Sequence, residues 1–195
     1  MSVVVNVVSQ DGSWTAFDGR GRNSASGMIV FEAVVKAEKI NDYVCIGYTG
    51  TFEVASAVLS MIKTPENENG LKVVRADELA LLVQAVNKKV DRPADMETQF
   101  VVTGIKWDNA FASYTIDSEN NMSCFIPDEQ YPFKTIVLST GEHGVEFEPY
   151  IVSELIARGQ KTKSVKTAMK KFICDVAKKD PSVNSNVNFV TIRAF

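Results

Sequence analysis

The 195-residue chain has one histidine, His143, and three cysteines, Cys45, Cys124 and Cys174, and this scarcity removes most metal chemistry. A lone imidazole has no second histidine with which to share a zinc ion, and no cysteine stands near it in sequence. The cysteines are odd in number, lack metal-ligand spacing and lie in apolar neighbourhoods, so they read as buried thiols. A basic excess is missing too, since 21 Lys and Arg stand against 24 Asp and Glu, for a net charge of −3. A domain that grips phosphates normally shows a positive surplus or stripe. The one basic run, Lys161 to Lys179, reads as the solvated face of a helix. No apolar run approaches the ~20 residues that span a bilayer, and no basic segment with an apolar core and small-residue cleavage site opens the chain. The expectation is a cytoplasmic protein with no nucleic-acid or membrane partner. Repeats and low-complexity linkers are also lacking, which points to a single compact domain over residues 1–195.

The start of the chain, by contrast, is rich in β-branched residues. Val3, Val4, Val5, Val7 and Val8 precede the turn-forming Asp11-Gly12-Ser13, after which Trp14-Thr15-Ala16-Phe17 runs into Asp18-Gly19-Arg20. This predicts a β-hairpin that returns the Asp18 carboxylate to the beginning of the chain, beside Ser2. A second hairpin is predicted where Phe31 to Ile40 passes through Asn41-Asp42 into Tyr43-Val44-Cys45-Ile46-Gly47-Tyr48. That run stops at Thr49-Gly50-Thr51. Val54, Val58, Leu59, Met61 and Ile62 then follow at helical spacings, with Thr51 as a reasonable N-cap and Thr64-Pro65 as the stop. Gly50 precedes the helix, where an amide meets the positive end of the dipole and can stabilise a developing oxyanion. The plainer alternative is that Gly50 only permits a tight strand-to-helix turn.

Beyond it, residues 65–70 read as a loop, Val73-Val74 as a short extended piece and Ala76 to Val90 as an amphipathic helix with Leu79, Leu82, Val83 and Val86 inward. Three strands are expected at Gln99–Ile105, Phe111–Ile116 and Met122–Ile126, and a fourth at Lys134–Ser139. Phe147 to Arg158 reads as a helix with Ile151, Val152, Leu155 and Ile156 on its apolar face. Ser164 to Lys178 reads as another, burying Val165, Ala168, Met169, Phe172, Ile173 and Val176. Val187–Ile192 closes the chain as a strand. This element order suits an α+β fold in which two antiparallel sheets are sandwiched between helix pairs.

The hairpin ending in D-G-R, the lysine four residues before an apolar-N-D turn, and the aromatic-T-G step that opens a helix together resemble the proteasome β-subunit and HslV peptidase family of N-terminal-nucleophile hydrolases. The family spacing holds from Ser2 to Asp18 and from Lys36 to Gly50, and about two extra residues fall in the Gly- and Ser-rich piece at 21–27, where insertion costs little. The resemblance implies a four-layer αββα sandwich and a catalytic set of Ser2, Asp18, Lys36 and Gly50, with Ser2 as nucleophile once Met1 is removed. Serine stands where the family has threonine, keeping the hydroxyl but losing the methyl that restricts χ1. Ser139-Thr140-Gly141 is similar to the family's G-S-G step, which puts Thr140 near the nucleophile. Asp180 matches an aspartate seven residues before the last strand. The serine expected three residues later is Val183, so either Ser182 substitutes or that member is missing. By analogy the substrate pocket lies around Arg20, Val35 and Cys45.

The chemistry so implied is peptide hydrolysis without a metal or organic cofactor. A free α-amine on Ser2 has an ordinary pKa of about 7.7–8.0, so nucleophile and base can belong to one residue. The Lys36 ammonium would lower that pKa, and Asp18 would hold Lys36 charged and oriented. The resemblance also implies a polypeptide substrate, a homo-oligomeric ring with helix contacts from Phe52–Lys63 and Ala76–Lys89, and an ATP-dependent unfoldase as partner. A catalytically inactive proteasome-like scaffold or binding subunit is the alternative.

Overall fold

The computed structural model describes residues 2–22, 29–64, 66–92, 96–139, 144–158 and 162–194. Val3–Ser9 (β1) and Gly12–Asp18 (β2) form the expected hairpin, and every residue of both strands is buried. Phe133–Ser139 (β10) pairs with β1 and Val187–Arg193 (β11) with β2, giving the sheet order β10-β1-β2-β11. The second sheet runs Ala37–Lys39 (β5), Val44–Gly50 (β6), Thr98–Ile105 (β7), Phe111–Ile116 (β8) and Met122–Phe125 (β9), each strand antiparallel to the next. Two short strands, Gly21–Arg22 (β3) and Ile29–Phe31 (β4), pair apart from both sheets.

Helices Phe52–Ile62 (α1) and Ala76–Asn87 (α3) cover the outer face of the second sheet, with Val58, Ile62, Leu79 and Val83 packed on Ile46, Phe100 and Val102. Helices Glu148–Arg158 (α4) and Thr162–Lys179 (α5) cover the first sheet, where Met169, Phe172 and Ile173 meet Val3, Val5 and Val7. The other faces of the sheets meet in the middle, through Val4, Phe17, Val101 and Leu138 in one cluster and Val8, Cys45, Phe111 and Ile192 in another. The layers are therefore αββα. Because β1 is covered on both faces, its valines run without polar alternation: odd positions face helices and even positions face the partner sheet. Of the even positions Asn6 is polar, and it begins a buried seam. Its amide donates to Thr15 Oγ1 at 3.1 Å, and Ser113 Oγ donates to Asn6 Oδ1 at 2.7 Å.

Several local expectations change. The strand before Asn41 shrinks to β5, and the turn is built by the Asn41 side chain, which accepts from Tyr43 N at 2.7 Å and Val44 N at 3.1 Å. Instead of an extended piece at Val73-Val74, the chain forms one helical turn, Glu68–Leu71 (α2), closed by Val74 N donating to Gly70 O. α4 is rotated from its expected face. Ile151 is buried and Leu155 half-buried, but Val152 and Ile156 are exposed and Glu154 is buried instead. The buried Glu154 carboxylate is compensated there by an ion pair with Lys171 of α5.

Candidate active site

The β1–β2 hairpin brings the start of the chain against the end of β2. Val3 N donates to Asp18 Oδ1 at 2.9 Å, and Arg20 N donates to the other oxygen, Oδ2, at 3.0 Å. Asp18 is fully buried, and Lys36 Nζ reaches its Oδ1 at 2.7 Å. The lysine is only 3% exposed, so it can remain an ammonium only by virtue of that carboxylate. Burial pushes the Lys36 pKa below its ordinary value, and the Asp18 charge and hydrogen bond oppose this. The net direction is downward, making Lys36 a readier proton donor than a surface lysine.

Three backbone contacts aim Lys36. Val34 N donates to Gly19 O at 2.7 Å, Tyr48 N donates to Lys36 O at 2.8 Å, and Tyr48 Oη donates to Val35 O at 3.2 Å. The segment before β5 is thus stitched between the end of β2 and β6, and the lysine side chain reaches the same Asp18 Oδ1 that accepts from Val3 N. On the opposite side, Gly50 N donates to Ser2 Oγ at 3.4 Å. Gly50 has φ +101°, and a Cβ there would lie 2.1 Å from Glu97 O, so only glycine fits this strand-to-helix junction. It ends β6, and Thr51 follows as the N-cap of α1, tied by Thr51 N to Glu97 O at 3.0 Å. Val3 pairs with Ser139 at one end of the first sheet and Gly50 with Thr98 at one end of the second.

The structure therefore brings together Ser2, Asp18, Lys36 and Gly50. Met1 and Thr140 lie outside the described residues. Asp180 follows α5, and its Oδ1 accepts both Ser182 N at 2.7 Å and Ser182 Oγ at 2.6 Å. Ser182 is thus the serine that hydrogen-bonds Asp180, while Val183 is buried in the core beneath α5.

Arg20 pairs with Glu32 at 3.1 Å and also donates to Pro181 O. Val35 is 64% exposed beside Lys36, as a wall residue would be. Cys45 is not. It is 1% exposed among Val8, Ile105, Phe111 and Ile192, within 3.5 Å of Thr15 Oγ1, and burial pushes its thiol pKa up to about 12. Its placement in a substrate pocket is corrected here, since a side chain enclosed between the sheets offers no surface to a ligand.

Sequence reasoning also missed Asn184. Buried beyond the end of α5, it accepts from Gly19 N at 3.0 Å and donates to Glu32 O at 3.1 Å and Glu32 Oε2 at 2.9 Å, locking the strap that leaves Asp18. Its signal in the sequence is no more than a polar stretch after Pro181, which says loop and nothing of a partner 165 residues away.

No family model and no curated protein matches the sequence. Among solved structures, Anbu (ancestral beta-subunit) from Yersinia bercovieri is similar, with TM-score 0.74 and 14% identity over 98% of this chain and 81% of that one. Eukaryotic HslV from Trypanosoma brucei is similar with TM-score 0.59 and 16% identity, over 98% of this chain and 99% of its own. At these identities the likeness concerns architecture. The chain has the proteasome β-subunit and HslV-like N-terminal-nucleophile fold. Among the described residues, no helix is long and apolar enough to cross a membrane.

Proposed function

We propose that this protein is an N-terminal-nucleophile peptidase in which Ser2, freed by removal of Met1, attacks the peptide carbonyl. The observation that carries the reading is the Ser2 hydroxyl 3.4 Å from the Gly50 amide, with the next residue, Val3, tied through its N–H to the buried Asp18–Lys36 pair. The α-amine of Ser2 takes the hydroxyl proton as Oγ bonds to the carbonyl carbon. The resulting oxyanion is met by Gly50 N–H, held in place by a backbone that no side chain could adopt. The same amine returns its proton to the leaving peptide nitrogen as the C–N bond breaks, and water then hydrolyses the ester on Ser2. Lys36 keeps positive charge near the nucleophile, which favours the unprotonated amine, and Asp18 fixes Lys36. By family likeness we assign Asp180, with Ser182, and Thr140 to the surroundings of the nucleophile, and Arg20 and Val35 to the substrate approach.

Assembly into a homo-oligomer belongs to the same reading. Phe52 and Met61 on α1 and Leu81 on α3 are 52%, 41% and 57% exposed, which supports helix-to-helix contacts between copies. Enclosing an unselective nucleophile protects folded proteins, and an ATP-dependent unfoldase would be the natural supplier of unfolded substrate. The test is intact mass before and after an electrophilic peptide is added to protein whose Met1 is confirmed absent. One adduct on Ser2, with peptide turnover abolished in Ser2→Ala, is expected. No adduct and no turnover would leave a scaffold subunit in place of a peptidase.

A further inference from the structure

The basic run read as a solvated helix face is not a uniform face. Residues 158–179 carry eight Lys or Arg and one acidic residue, Asp175, whereas the rest of the chain has 13 basic and 23 acidic residues. Part of that charge lines a groove of about 870 Å³ between α5, Tyr150 of α4 and the outer face of β11. Lys163, Lys166 and Lys170 form one wall at i, i+3 and i+7, Arg193 stands at an end, and Phe189 and Tyr150 supply apolar surface. Two neighbouring lysines are neutralised within the fold, Lys171 by Glu154 and Lys178 by Asp175. Lys163, Lys170 and Arg193 have no acidic partner among the described residues, and Lys166 sits over the Phe189 ring at 5.4 Å.

A second property coincides with the first. Among the described residues β11 is the terminal strand of its sheet and pairs with β2 alone, so among them one edge of its backbone offers unused ladder donors and acceptors beside this charged wall. Cations beside an open edge reject ordinary and basic strands by repulsion and desolvation, and they admit one with carboxylates on the facing side.

We infer that the groove between α5 and β11 is a docking site for an extended acidic segment of a partner protein, added as a strand to β11 with alternate carboxylates facing Lys163, Lys166, Lys170 and Arg193. The dimensions agree. Lys163 to Lys170 covers roughly 10 Å at 1.5 Å per helical residue. Same-face positions of a strand repeat every ~6.7 Å, so about two or three acidic side chains meet that wall. Main-chain bonds to β11 supply affinity, and the lysines supply selection. This goes beyond the peptidase reading, because none of these residues belongs to the Ser2 site and binding here is measurable whether or not Ser2 reacts.

The experiment is fluorescence anisotropy with a labelled peptide that alternates Glu and Val and matches the seven residues of β11. Saturable binding that weakens with salt is expected. The Lys166→Glu/Lys170→Glu variant should bind roughly tenfold or more weakly. Lys163→Gln/Lys170→Gln serves as the milder pair if charge reversal disturbs the fold. The same peptide N-methylated at alternate backbone nitrogens should lose binding with its charges intact. The inference is overturned by absence of binding, by equal binding to the charge-reversed variant, or by equal binding of the N-methylated peptide, which would reduce the groove to a general polyanion surface. It is also overturned if charge reversal dissolves a self-associated state that the peptide does not compete with, since a second copy would then be the occupant.

Discussion

Replacing Lys36 by Met keeps the length of the stem while removing its charge, leaving the Asp18 carboxylate fully buried beside Val3 N and Arg20 N. Breaking a buried ion pair from one side typically costs about 3–5 kcal/mol, because the survivor is an uncompensated charge. The two amides that still donate to Asp18 partly solvate it, so the lower end is expected, about 3 kcal/mol. Against a total stability of about 5–15 kcal/mol this is a large loss. For a chain of this size it corresponds to a fall in Tm of about 6–12 °C. Urea unfolding at neutral pH and fixed protein concentration measures it, with Asp18→Asn and the double variant completing a cycle. A coupling of roughly 2 kcal/mol is expected, with the double variant less destabilised than the two single losses added together. The wild type carries a pH signature. Lys36 is lowered from 10.5 in the folded protein, so between its folded value and 10.5 the unfolded chain binds the proton more tightly. Its contribution to stability therefore rises with pH across that window, and Lys36→Met removes the slope. A loss below about 1 kcal/mol with an additive cycle would refute the view that this pair is a buried, mutually dependent unit.

Gly50→Ala places a Cβ 2.1 Å from Glu97 O at φ +101°, so the junction must move. A stability loss of about 2 kcal/mol or more is expected, along with a fall of about 10²-fold in Ser2 acylation, read by denaturation and by adduct mass against time. Cys45, with its pKa raised to about 12, should stay unlabelled by a thiol-disulfide reagent at mildly alkaline pH while the exposed Cys124 reacts. Peptide mapping that found both labelled at one rate in native protein would contradict the enclosed position. Asn184→Ala leaves Gly19 N without its acceptor, at a cost of about 1–3 kcal/mol, and should hasten amide exchange across residues 19–22 more than across β7. Uniform exchange throughout would show that the strap does not depend on Asn184.

Local pattern carried the reading where an element and its partner are adjacent in sequence. The valine run, the Gly12 turn and the aromatic return strand specify each other, and with them the delivery of Asp18 to the start of the chain. Gly50 was legible for a different reason, since a glycine between a buried strand and an amphipathic helix marks a backbone that only glycine adopts. Lys36 was legible by family spacing alone. Its burial depends on three backbone contacts, to Gly19, Val35 and Tyr48, that no periodicity encodes. Asn184 stayed hidden because its partners are set by the last crossover, from α5 to β11, and its own neighbourhood carries only the turn chemistry of residues 180–184.

Cys45 entered the substrate pocket by family analogy alone, whereas its own apolar neighbourhood reads as buried. In a four-layer fold a residue's environment is decided by which of two faces its element turns inward, and apolar character alone does not choose when both faces are covered. Cys45 on β6 sits on the face toward the other sheet, whereas Val44, Ile46 and Tyr48 pack with the helices. Alternation distinguishes these two sets but does not say which side is which. In α4 the stripe of Ile151, Val152, Leu155 and Ile156 is split, with Ile156 81% exposed while Glu154, paired with Lys171, is buried. Burying a carboxylate while an isoleucine faces outward runs against hydropathy. It is tolerable because the ammonium that compensates it, that of Lys171, comes from α5, the helix whose Lys163, Lys166 and Lys170 line the β11 groove.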